Sequence, residues 1–144
     1  MTFTLHPNLA RDAVAIGRFD LCRVLVINDA NYPWFVLVPE RAGISDTIDL
    51  TAEDHAALWT ESRVFGAAIM TAFAGDKLNV AALGNITPQL HVHHIVRFTS
   101  DAAWPGPVWG VHPMRGYTDN ELDVVRDKLQ GAGITGFVLE RDRL

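Results

Sequence analysis

A chain of 144 residues, 49% hydrophobic and 20% charged, has the length of one domain and the composition of an ordinary globular protein, which excludes a disordered or fibrous architecture. Its formal net charge of -5 argues against a surface that holds polyanions by counterion release, so nucleic acid is not an expected partner, although a local pocket of His, Asn and backbone N–H groups can still take one phosphate. Cys22 is the only cysteine and no run resembles a secretion signal or a bilayer span, so disulfides, cysteine-rich zinc sites and membrane insertion are not expected, and the expected location is the cytoplasm.

In chain order, residues 8–16 have loosely spaced apolar positions ending at Gly17 and read as a short helix. Residues 19–27 (F-D-L-C-R-V-L-V-I) are rich in β-branched and aliphatic side chains and stop at Asn28-Asp29, a pair that favours turns. After Asn31-Tyr32-Pro33 comes a second apolar run, residues 34–38 (W-F-V-L-V), and the two predict a hairpin that begins an antiparallel sheet. Thr51 can cap a helix with Glu53 and Asp54 in its first turn, where the dipole favours negative charge, and Gly75 suits a left-handed stop after about residue 74. Leu58, Phe65, Ile69 and Phe73 form one stripe of that helix, which should pack on the sheet.

Residues 78–83 and 90–98 read as further strands, separated by Gly84-Asn85 and Pro88. Residues 104–109 (W-P-G-P-V-W) form a rigid loop whose rings are better suited to covering the core than to stacking on a base. A second helix starts at Thr118, three residues before Glu121 in a capping box, with Leu122, Val125 and Leu129 buried and the charges of Arg126, Asp127 and Lys128 on a solvated face. The expectation is a single α+β domain over 1–144, with a mainly antiparallel sheet, one long helix packed on it and a C-terminal helix.

The segment Q-L-H-V-H-H-I, residues 89–95, holds three of the six histidines. Side chains alternate along a strand, so Gln89, His91 and His93 share one face, while Leu90, Val92, His94 and Val96 point into the core. An unprotonated imidazole is a competent nucleophile, and a neighbour on the same face can donate a hydrogen bond to a phosphate oxygen or leaving group. His94, on the apolar face, reads as a hydrogen-bonded core or dimer histidine.

Extended to Arg97, this run resembles the signature of the histidine triad (HIT) superfamily, in which three histidines alternate with apolar residues along one strand. The resemblance covers roughly residues 18–100, taking in the early hairpin and the glycine-containing loop before the triad. It implies a nucleotide-binding α+β fold, commonly a homodimer, without cofactor or metal, and a two-step reaction at a nucleotide α-phosphorus. His91 matches the histidine that forms a covalent nucleotidyl intermediate, and His93 the third triad position, which contacts phosphate. Asn85 and Asn79 match residues that hold phosphate, and Asn28, with Asp29 as a possible substitute, lies where the family places a ribose contact.

The chain departs from the pattern where Gln89 replaces the first histidine, and where Tyr32-Pro33-Trp34 stands in place of a proline-glycine-histidine stretch. In the family a backbone carbonyl at the first triad position orients the nucleophile, and glutamine has the same carbonyl. Two rivals follow from the same residues: a nucleotide-binding protein with little catalysis, and a zinc site using His91 and His93 with a third ligand such as His112.

Overall fold

A computed structural model describes residues 2–141. Helix α1 (Pro7–Asp12) starts with proline in its first turn and with the His6 ring accepting a hydrogen bond from the Asn8 N–H. It is shorter than residues 8–16 suggested. Ala13-Val14-Ala15-Ile16 leave the helix to form strand β1 (Ala13–Arg18), where Val14 pairs with Val26, and this tertiary pairing outweighs the weak helical spacing.

Strand β2 (Cys22–Ile27) begins three residues later than expected, and β3 (Trp34–Pro39) follows as its hairpin partner. Strands β4 (Lys77–Ala82) and β5 (Val92–Arg97) lie beyond helix α2 (Ala52–Ala72), and helix α3 (Asp119–Gly131) precedes a two-residue strand, β6 (Val138–Leu139). All pairs are antiparallel in one sheet of order β4-β5-β3-β2-β1-β6. Strand β6 was not expected, because two residues are too few to show a period.

One face of this sheet packs on the helices. Val24, Val26, Phe35, Leu37, Val92 and Val96 join Leu58, Phe65 and Ile69 of α2 and Leu122, Val125 and Leu129 of α3 in one cluster. The stop of α2 differs in detail from expectation: Ala74 takes the left-handed conformation at φ 52, not Gly75. Glycine is required at 75 for space, since a Cβ there would collide with Val96 Cγ1. Helix α3 has both halves of its capping box, but Arg126 is not solvated; it is 2% exposed and donates to the carbonyls of Ala15 and Glu140. That places its charge over the β1 side of the sheet.

The opposite face is also covered, by Leu9, Tyr32, Ala103 and Val108, which pack with Leu25, Trp34, Val36, Val38 and Ile95. Burial on both faces explains why β3, and β2 apart from Arg23, are apolar without alternation. The face away from α2 and α3 carries the site.

Candidate active site

Strand β5 lies one strand in from the β4 edge, with β3 on one side and β4 on the other. His94 faces α2, where its Nδ1–H donates to the Val92 carbonyl (3.0 Å) and its Nε2 accepts from the Ser62 hydroxyl (2.7 Å). It is wholly buried, as its position on the apolar face implied, and burial lowers its pKa to about 4.

His91 and His93 emerge on the other face with ring centroids 5.0 Å apart. They line a cavity of about 470 Å3, within the size range of small-molecule sites. Asn8, Leu9, Arg11 and Asp12 form one wall; the loop Leu83, Gly84, Asn85, Ile86 and Thr87 another; Ile27, Trp34, Trp109 and Met114 complete it. Gly84 has φ 94, a left-handed turn that glycine adopts without a steric penalty, and it opens the loop that carries Asn85. The Asn85 side chain is exposed at this wall.

Hydrogen bonds fix which nitrogen of each ring carries its proton. His91 Nδ1 lies 2.7 Å from the Gln89 backbone carbonyl, which can only accept, so Nδ1 carries the hydrogen and Nε2 keeps its lone pair. Trp34 Nε1–H donates to His93 Nδ1 at 2.9 Å, so the neutral His93 ring carries its proton on Nε2. This bond follows from register: Val36 sits opposite His93 and Trp34 opposite Ile95, which puts Trp34 on the same face, diagonal to His93. Burial, then the neighbouring His91 and His94, lower the His93 pKa to about 3, which keeps that ring neutral at physiological pH.

Of the other residues expected at the site, Gln89 contributes its carbonyl to His91, while its side chain binds the backbone at Thr4 and His6. Asn79 and Asn28 do not line the cavity. Asn79 Oδ1 accepts from Arg97 (2.9 Å), and Asn28 Oδ1 accepts from the Tyr117 N–H (2.9 Å). Asp29 is buried and accepts from the Asn31 and Arg115 N–H groups.

Sequence reasoning missed the α1 wall and the Trp34 bond. It also treated residues 104–109 as a unit, whereas the structure divides them. Trp104 stacks on the Arg97 guanidinium, and Trp109 enters the cavity wall with its centroid 5.0 Å from that of His93. Among the described residues no group of three or more His, Cys, Asp or Glu side chains converges to hold a metal ion. The zinc alternative therefore finds no third ligand among the described residues, and His112 lies outside the cavity lining.

The HIT domain family model matches residues 8–100. The chain belongs to the HIT domain family. Crystal structures of histidine triad proteins share its fold closely: that from Bradyrhizobium japonicum is 45% identical with a TM-score of 0.89, covering 92% of this chain and 98% of that one. One from Marinobacter aquaeolei VT8 is 47% identical at the same TM-score, covering 92% and 96%. A third, from Sinorhizobium meliloti 1021, is 39% identical with a TM-score of 0.88, covering 90% and 96%. No curated protein gives a significant match. HIT membership supports a nucleotide-binding or hydrolase role, and among the described residues no helix is long and apolar enough to cross a membrane.

Proposed function

We propose that this HIT protein hydrolyses or transfers a nucleotidyl group through a covalent intermediate on His91. The observation that carries the reading is the complementary protonation of the two cavity histidines, one offering a lone pair and the other an N–H. In the first step His91 Nε2 attacks the α-phosphorus; a P–N bond forms, and the bond from phosphorus to the leaving group breaks with its electron pair. A polyphosphate leaves as the anion, and an amine takes up a proton from solvent.

The positive charge that develops on the His91 ring is stabilised through Nδ1–H by the Gln89 carbonyl. His93 Nε2–H donates to a phosphoryl oxygen, and Asn85 with the backbone N–H groups of its loop can hold the remaining oxygens. Water then attacks phosphorus, the P–N pair returns to His91 Nε2, and the water proton passes to solvent. Where an alcohol or phosphate replaces water, the outcome is transfer.

Phosphoramidates and dinucleoside polyphosphates both present such a phosphorus, and both serve as probes. Incubation with a labelled nucleoside phosphoramidate or diadenosine polyphosphate is expected to give turnover that His91→Ala lowers by about 10^4-fold or more. Mass spectrometry of the quenched enzyme should place one nucleotidyl group on the peptide containing His91. Turnover that survives the substitution overturns the mechanism, and nucleotide binding without turnover in the unaltered protein supports the non-catalytic alternative.

A further inference from the structure

Gln89 occupies the position of the first triad histidine, yet its side chain does not line the cavity. Its Oε1 accepts from the His6 N–H and its Nε2 donates to the Thr4 carbonyl, each at 2.8 Å. Along an extended backbone the carbonyl of one residue and the N–H two residues on face the same way, so the carboxamide pairs with them as a parallel strand would. A primary amide offers a donor and an acceptor side by side; the two nitrogens of an imidazole diverge, and a carboxylate has no donor. The substitution at this position therefore replaces one kind of recognition with another.

The residue that Gln89 grips is the N-cap of α1: the His6 ring accepts from Asn8, and its carbonyl accepts from the Leu9 and Ala10 N–H groups. Asn8 also donates to Thr87 Oγ1 at 3.0 Å, joining α1 to the loop of the neighbouring wall. Gln89 thus meets the proposed nucleophile through its main chain and the cavity wall through its side chain.

We propose that Gln89 is a positioning residue whose carboxamide clasps residues 4–6 and holds α1 as a wall of the cavity, so that substrate binding rather than the chemical step depends on its side chain. The proposal rests on the nucleotidyl-transfer reading for its kinetic consequence, but not for its structural one. In Gln89→Leu the carbonyl that orients His91 remains while both clasp bonds are lost. Hydrogen exchange at the Leu9 and Ala10 amides of the free protein should rise about tenfold, and KM about tenfold, with kcat within about threefold.

Gln89→Glu should move both quantities in the same direction, because its carboxylate keeps the bond to His6 N–H but repels the Thr4 carbonyl. Unchanged exchange in α1, or a fall in kcat with KM unmoved, overturns the clasp. A large gain in activity in Gln89→His would do the same. If the unaltered protein turns over no nucleotide, the functional reading fails, and the exchange measurement still decides the clasp.

Discussion

At the scale of single residues, the site depends on two buried imidazoles that hold their protons on opposite nitrogens. The Trp34 indole fixes the His93 proton on Nε2, as the Gln89 carbonyl fixes that of His91 on Nδ1, because an indole N–H can donate but never accept. Trp34→Phe keeps an aromatic ring at the wall and leaves His93 Nδ1 without a partner, so the ring no longer holds its proton on Nε2 alone. The expected result is a fall in kcat of about tenfold with KM within about threefold, the size of one lost hydrogen bond that matters in the transition state. Steady-state kinetics on both probes check it, and unaltered kcat would remove the tautomer argument. Strand alternation was enough to place His91 and His93 together and His94 with the core. Trp34 was visible only as a departure from the family pattern, since its bond to His93 depends on the register of two strands 59 residues apart in sequence, which no local pattern encodes.

At the scale of elements, legibility followed the strength of local signals. The capping residues Thr51 and Thr118 marked the starts of α2 and α3 correctly because a side-chain acceptor at an N-cap acts within three residues. The segment after α1 carried no such signal, and its conformation is decided by pairing with β2. The end of α2 was read from glycine's backbone freedom, but the structure assigns glycine there to packing. Gly75→Ala tests that reassignment, since a methyl group would press on Val96 of β5 and Met70 of α2. It should lower stability by about 1–3 kcal/mol, the usual cost of overpacking. A left-handed requirement at 75 would instead be relieved by asparagine, so urea unfolding of Gly75→Ala and Gly75→Asn separates the two, with the bulkier asparagine expected to be the more destabilising. Because Val96 shares β5 with His93, and His91 lies immediately before that strand, kcat should fall alongside stability.

At the scale of the whole molecule, the described chain balances groups that must stay neutral against one that must stay charged. His93 and His94 are held neutral inside the sheet with pKa values near 3 and 4. Asp101 is held ionised at about 2: burial alone would raise it, but hydrogen bonds from Arg97 and from the backbone of Phe98 and Ala103 more than offset that cost. Its partner Arg97 is 1% exposed, stacks between Tyr32 and Trp104, and also reaches Asn79 on β4, tying the end of β5 to the loop that carries Trp109. The two kinds of group give stability losses in different pH windows. An unfolded histidine takes up a proton below about 6.5, whereas these two do so only near 4 and 3, so the unfolded state binds more protons as pH falls through that interval. Stability is then complete above about 6.5 and declines below it, by up to about 1.4 kcal/mol per pH unit for each histidine. The Asp101 contribution is present above its unfolded value of about 3.8 and is lost only as pH falls towards 2. Urea unfolding between pH 7 and pH 5 should therefore show a decline before any carboxylate titrates. In His94→Gln, which keeps a side-chain donor and acceptor, the slope across that interval should be roughly halved although the protein is less stable at pH 7. A profile flat to pH 5, falling only below 4, would assign acid sensitivity to the Arg97–Asp101 pair and remove the premise that the sheet excludes a charged imidazole.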